Sequence, residues 1–218
     1  MNIMIAVPCM DQVACGFVQS LVMLKKVDNC IIRLLPCSLV YESRHALAKS
    51  AIEHHADLVL WLDSDMVFDP DLLERMVQDM EEGKDIVTAL CFTRIRPYCP
   101  TIYETAELKD GKPECRVYHA YPEDRMFPVQ AAGCAVMLMK TEVLRRLYEK
   151  YDNAFYPVDG FGEDISFCLR AGECGYQIWC DPRIKVGHIG HLTVTDTLYK
   201  AFEKDKAEEQ DEVQNTRR

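Results

Sequence analysis

Five consecutive apolar residues, Leu58-Val59-Leu60-Trp61-Leu62, run directly into Asp63-Ser64-Asp65. The run does not alternate with polar residues, so a strand there would be buried on both faces, as in a parallel sheet covered by helices on either side. Such a strand delivers whatever follows it to the carboxyl edge of the sheet, where open α/β folds hold their ligands. Residues two apart on an extended chain point the same way, so Asp63 and Asp65 are expected to face one ligand together. Two carboxylates with a hydrophilic spacer can hold a hard divalent cation and leave positions open for phosphate oxygens and water. A surface turn is the alternative, because Asp and Ser are common turn formers.

The flanking pattern agrees with a buried parallel strand. Ile3 to Pro8 reads as a first strand, followed by a loop from Cys9 to Gly16 and a helix through Leu24. Ile31 to Leu35 reads as a second strand, and Ala46, Leu47, Ala51 and Ile52 mark the apolar stripe of a helix over Ser43 to His55. Asp69-Pro70 opens a helix that Gly83 stops, and Asp85 to Phe92 is the next strand. This βαβαβα order predicts a single Rossmann-like α/β domain whose central sheet is mostly parallel and flanked by helices. Beyond Arg96, prolines, aromatics and the turn Asp110-Gly111 predict strands and loops. Val129 to Met139 is apolar around Gly133, Thr141 to Lys150 is helical, and Gln177 to Cys180 and Ile184 to Val186 are short strands. Charge dominates from Tyr199 onward, which predicts an exposed helix or frayed tail over 199–218.

Composition narrows the function classes. With 218 residues and 49% hydrophobic content, the chain can bury one sizeable core. A formal charge of -10 disfavours nonspecific adhesion to nucleic acid. No apolar run approaches the roughly 20 residues of a bilayer span, and the first ten residues lack a basic, hydrophobic leader, so the expectation is a cytoplasmic protein without a membrane span. Eleven cysteines, an odd number with no CxxC pair, predict reduced thiols buried as small core residues rather than a disulfide framework or a structural zinc site.

Two further motifs bear chemistry. In Gly160-Phe-Gly-Glu163-Asp164-Ile-Ser-Phe, glycine-rich backbone delivers two acids into the first turn of a helix, whose N-terminus favours their ionised form. Either they cap the helix, or one of them is a general base for a hydroxyl that attacks in the cleft. In Val186-Gly-His188-Ile-Gly-His191, two imidazoles flank a glycine-rich turn. A histidine beside the two aspartates adds a nitrogen ligand and shifts the expected metal from Mg²⁺ toward Mn²⁺; His188 is the first choice and His191 the substitute.

Taken together these motifs are similar to those of GT-A glycosyltransferases, family 2 and its relatives. Leu60-Trp-Leu-Asp-Ser-Asp-Met-Val-Phe68 resembles the family's DxD strand. Gly162-Glu-Asp-Ile-Ser-Phe-Cys168, continuing through Gly175-Tyr176 to Val186-Gly-His188, resembles the later half, and the same order of motifs resembles the polypeptide N-acetylgalactosaminyltransferases. The resemblance implies a GT-A domain over 1–198, with a nucleotide-binding half (1–96) and an acceptor half (97–198). It implies that Asp65 and His188 bind the metal, with Asp63 on the ribose or a metal-bound water. Pro8 would line the base pocket, Arg44 would lie near the nucleotide or diphosphate, and Gly133 would lie beneath the donor sugar. Asp164 would be the base, with Glu163 beside it.

The implied reaction moves one sugar from a nucleotide sugar donor, UDP-linked by expectation, to an acceptor that is a glycan, a protein or a modified DNA base. Pro8-Cys-Met-Asp11 departs from the family's Pro-Thr-Tyr-Asn, which leaves the donor base open. The histidine leaves inversion or retention open. The QxxRW element of processive synthases is absent, in keeping with transfer of a single sugar. A nucleotidyltransferase on a similar sheet and a noncatalytic sugar- or nucleotide-binding module are the alternatives.

Overall fold

The structure is a computed structural model that describes residues 1–26 and 29–202. In chain order the elements are β1 (Ile3–Cys9), α1 (Cys15–Met23), β2 (Cys30–Pro36), α2 (Val40–Glu53), β3 (Leu58–Leu62), β4 (Met66–Phe68), α3 (Leu72–Glu81) and β5 (Ile86–Ala89). They continue with β6 (Ile102–Lys109), β7 (Lys112–Val117), β8 (Phe127–Val129), β9 (Ala131–Ala132), β10 (Val136–Lys140), α4 (Thr141–Tyr151), α5 (Glu163–Glu173), β11 (Ile178–Asp181) and β12 (Val186–His188). Residues 196–202 are helical, so the charged tail expected from Tyr199 falls within the described residues only as far as Phe202.

Seven strands form the central sheet in the order β2-β1-β3-β10-β5-β11-β8. β10 and β8 run against the other five, so the sheet is mostly parallel as the sequence predicts. β10 comes from the later part of the chain and inserts between β3 and β5, which ties the segments before and after residue 96 into one sheet.

The side-chain period of two explains the layers. Met4 and Ala6 of β1, Val59 and Trp61 of β3, and Met137 and Met139 of β10 join one core. That core includes Leu47, Ala48 and Ala51 of α2, Val143, Leu144 and Leu147 of α4, and Phe167 and Ala171 of α5. The intervening residues Ile3, Ile5, Val7, Leu58, Leu60, Leu62, Val136 and Leu138 face the opposite way, onto Phe17 of α1 and Leu72, Leu73, Met76 and Met80 of α3. Both faces of the strands are thus covered by helices, which is why the Leu58–Leu62 run needs no polar residue. All eleven cysteines are free, and Cys91, Cys134, Cys168 and Cys180 are buried.

Smaller sheets shape the rim. β6 and β7 form a hairpin whose turn residues Asp110 and Gly111 both have positive φ, 51° and 74°, as a tight two-residue hairpin turn requires. β12 pairs with β4 over Val186–His188 and Met66–Phe68, so the strand expected at Ile184 to Val186 lies two residues later. This pairing brings the histidine segment against the chain that leaves β3. Among the described residues, no helix is long and apolar enough to cross a membrane.

Candidate active site

Strands β2 and β3 flank β1 on opposite sides, so the crossovers on either side of β1 diverge and open a crevice at the carboxyl ends of β1 and β3. The crevice holds about 610 Å³ and is lined by Pro8 to Ala14 from the end of β1, Arg44 from α2, Asp63 to Asp65 after β3, Arg94 after β5, Glu163 from α5, and His191. Pro8, Arg44, Asp63, Asp65 and Glu163, which the sequence singles out from distant segments, therefore share one cavity.

The two aspartates of the DxD segment do not point the same way. After Leu62 the chain leaves the extended conformation, with the Met66 N–H donating to the Asp63 carbonyl at 3.1 Å, and this turn separates the carboxylates. Asp63 faces inward, where Arg44 Nη2 donates to its Oδ1 at 2.8 Å. Arg44 Nε donates to Glu163 Oε1 at 3.4 Å, and the guanidinium lies 5.7 Å from the centre of the Trp61 ring. The Arg44 side chain is only 2% exposed. Burial works against its charge, yet the surrounding Asp63, Glu163 and Asp164 outweigh burial and hold its proton more firmly than usual. Burial also pushes the Asp63 carboxyl up, against the pull of Arg44.

Asp65 faces the other side. His188 Nε2 lies 3.2 Å from Asp65 Oδ2, and Arg94 Nη1 meets the same oxygen. Burial raises the Asp65 pKa, but the hydrogen bond to His188 and the charges of His188 and Arg94 more than offset it and hold the carboxyl below its ordinary value. His188 is raised in turn, chiefly by Asp65. The His188 Nδ1–H donates to the Phe92 carbonyl at 2.8 Å, which fixes the ring and leaves Nε2 for an ion or a proton. The Ile189 N–H donates to the Asp65 carbonyl at 2.8 Å, so backbone pairing as well as side-chain pairing joins the two segments.

Glu163 and Asp164 diverge at the start of α5. Glu163 belongs to the Arg44 floor, whereas Asp164 turns toward β6 and β9. A Cβ added to Gly133 would lie 3.7 Å from Asp164 Oδ2 and 3.2 Å from Thr101 Oγ1, so Gly133 admits the close approach of these groups. The Ile165 N–H donates to Asp164 Oδ1 at 2.8 Å. Burial, then the charge of Glu163, push the Asp164 pKa up.

Asp63, Asp65 and His188, expected to share a metal, are thus divided between two neighbourhoods. Among the described residues, no group of three or more His, Cys, Asp and Glu side chains is gathered in metal-binding geometry. Arg94 has no counterpart in the sequence reading. It shares an irregular loop with Arg96, and the usable signal is its position just beyond the carboxyl end of β5, at the same sheet edge as Pro8 and Asp63.

Residues 45–126 match a family model described as Glycosyl transferase family 2. No curated protein matches the sequence. Among solved structures the chain is similar to A197 from STIV, with 16% identity and a TM-score of 0.59 over 89% of this chain and 97% of that one. It is also similar to GalNAc-T7, solved with UDP, GalNAc and Mn²⁺, with 10% identity and a TM-score of 0.64 over 88% of this chain and 44% of that one. A third match is residues 1–349 of S. aureus TarS, with 14% identity and a TM-score of 0.52 over 86% of this chain and 60% of that one. The chain therefore spans nearly all of A197 but less than two thirds of the other two, and at these identities the likeness is one of fold.

Proposed function

We propose that this chain is a family 2-like glycosyltransferase of the GT-A fold that moves a single sugar from a nucleoside diphosphate sugar, UDP-linked and assisted by Mn²⁺ or Mg²⁺, to an acceptor hydroxyl. The observation that carries this reading is the meeting of Pro8, Arg44, Asp63, Asp65 and Glu163 in one crevice at the carboxyl ends of β1 and β3. UDP and Mn²⁺ in the GalNAc-T7 structure support the same donor class and metal for this chain.

The donor set fits a cation held by two protein ligands, Asp65 and His188, with phosphate oxygens and water completing its shell. It does not fit a closed protein cage, because Arg44 already engages Asp63. When bound, the ion supplies Lewis-acid stabilisation for charge left on the diphosphate. The remaining roles fall to side chains. Arg44 holds Asp63 and Glu163 in place, leaving Asp63 to meet the ribose or a metal-bound water. Pro8 lines the base pocket, and Gly133 lies beneath the donor sugar, where its missing side chain admits Thr101 and Asp164. Asp164 accepts the acceptor's proton, since its raised pKa and its position beside Gly133 suit that task, whereas Glu163 is engaged by Arg44. The segment 1–96 then serves the nucleotide and 97–198 the acceptor.

A panel of nucleotide sugars with Mn²⁺, scored for nucleoside diphosphate release with and without glycan, protein and DNA acceptors, tests the reading. UDP release that stops on adding a chelator is the expected result. Release of pyrophosphate instead would assign the chain to nucleotidyl transfer.

A further inference from the structure

The crevice carries more negative than positive charge. Asp11, Asp63, Asp65 and Glu163 line it, while Arg44 and Arg94 are its two arginines. A diphosphate entering this space needs a cation, and Arg44 is already shared by Asp63 and Glu163 beneath the surface. Arg94 differs in both respects. Its side chain is 56% exposed, and among the described residues its one carboxylate partner is Asp65.

The root of Arg94 is braced by its loop while its side chain is largely exposed. The Thr93 N–H donates to the Cys99 carbonyl at 2.9 Å, and the Tyr98 N–H donates to the Ile95 carbonyl at 3.0 Å, closing the loop after β5 on itself. The carbonyl of Phe92 holds the His188 ring. The turn after His188 lies so close that a Cβ on Gly190 would be 2.8 Å from the Arg94 carbonyl oxygen. The loop is therefore braced against the histidine segment, and the long Arg94 side chain reaches from it to Asp65 Oδ2, the oxygen that also faces His188 Nε2.

We infer that Arg94 is a diphosphate-binding residue that rests on Asp65 until the donor arrives and then transfers its guanidinium to the phosphates. The inference rests on the donor reading above. If Asp65 and His188 held the cation, Arg94 would lose its place on Asp65 Oδ2 and its guanidinium would be free to meet phosphate oxygens. The exchange keeps Asp65 paired before binding and supplies a fixed positive charge to the diphosphate after it. A planar guanidinium suits this role because it can meet two phosphate oxygens at once.

Titration calorimetry on the full chain tests this with Mn²⁺ alone, with UDP plus Mn²⁺, and with inorganic pyrophosphate plus Mn²⁺ as the base-free probe. Arg94→Gln should bind Mn²⁺ at least as tightly as the wild type, because a competing cation is gone, yet lose roughly tenfold or more for both diphosphates, as expected for a charge-assisted hydrogen bond. Arg94→Lys should fall between them, and it carries the test if Arg94→Gln does not fold. Arg96→Gln, in the same loop but facing a separate hollow beside Leu192, should match the wild type. Unchanged diphosphate affinity in both Arg94 variants would reduce the pair with Asp65 to a surface ion pair and overturn the inference. Equal losses for Mn²⁺ alone and for the diphosphates would make Arg94 a positioning residue for Asp65, which also overturns it. If the wild type binds neither diphosphate, the donor reading fails and this inference with it; if it binds pyrophosphate but not UDP, only the base assignment changes and Arg94 is judged on pyrophosphate.

Discussion

Two arginines in this molecule each serve two carboxylates, and they do so from opposite sides of the solvent boundary. Arg44 is buried, with Asp63 at 2.8 Å and Glu163 at 3.4 Å between it and the crevice. Arg183 is half exposed, with Asp181 at 2.8 Å and Asp79 at 3.6 Å on its protein side, and both of those acids are buried. A buried guanidinium cannot give up its proton, so Arg44 is a permanent cation that holds both acids at the edge of a ligand site. When the acids are buried and the cation is outside, the cheaper solution is for one acid to keep its proton. Asp79 takes that part: burial, then the neighbouring charge of Asp181, push it up to about 7, while Arg183 outweighs burial for Asp181 and holds it low. The same three groups therefore form a charged floor in one place and a proton-holding pair in the other.

The largest effect that could break the comparison lies beside the Arg44 floor. If Arg44 fixes Glu163 as a structural partner, proton transfer belongs to Asp164. Asp164→Asn should then lower kcat by about 10²- to 10⁴-fold with donor affinity nearly unchanged. Steady-state kinetics beside donor calorimetry would reveal it, and a comparable kcat loss confined to Glu163→Gln would show that the floor acid is the base. Next in size is the floor itself. Arg44→Met leaves two carboxylates over a buried site without their cation and should cost about 3 kcal/mol in urea unfolding. Arg183→Met, which removes a half-exposed cation, should cost about 1 kcal/mol or less. Equal costs would mean that the side on which the cation sits does not matter.

A smaller effect concerns the aspartate outside the floor. Asp65→Asn should weaken UDP binding in the presence of Mn²⁺ by about tenfold, the scale of one lost charge-assisted interaction, and cause no loss in chelator, where it removes a like charge and frees Arg94. Loss of affinity in both conditions would instead make Asp65 part of the structural floor with Asp63.

Much of this layout was legible in the sequence. Leu58 to Leu62 revealed a buried strand because a run apolar on both faces has few other uses, and the acids after it had to emerge at a ligand-bearing edge. The direction of β10 was not legible. Val136 to Met139 is apolar on both faces, a pattern shared by parallel and antiparallel interior strands, and only pairing with β3 and β5 fixes its sense. The parting of Asp63 from Asp65 was hidden for a similar reason. It depends on a turn closed by Met66 and on two cations, Arg44 and Arg94, that arrive from distant segments. Arg94 sits in no periodic element, so no pattern of spacing marks it.

The smallest effect is also the most direct test of the contrast between the two arginines, because it asks whether Asp79 holds a proton. Its Oδ2 is buried without a hydrogen-bond partner among the described residues, a setting that penalises a full charge. A carboxyl whose folded pKa lies above its unfolded value binds a proton in the native state that the unfolded chain has already lost. Stability must therefore fall as pH rises from the ordinary carboxylate value, about 4, toward the raised value near 7. Asp181 has the opposite sign, since its lowered pKa contributes stability that disappears only as pH falls below the ordinary range. The two windows thus separate on either side of about pH 4. Asp79→Asn keeps the shape of the protonated acid and cannot ionise, so it should flatten the fall between pH 5 and 7 and leave the variant about 1 kcal/mol more stable than the wild type at pH 8. Urea unfolding across pH 4 to 8 measures both slopes. Parallel curves for the wild type and Asp79→Asn would mean that Asp79 is ionised in the folded protein, and that Arg183 serves its two acids in the same way that Arg44 does.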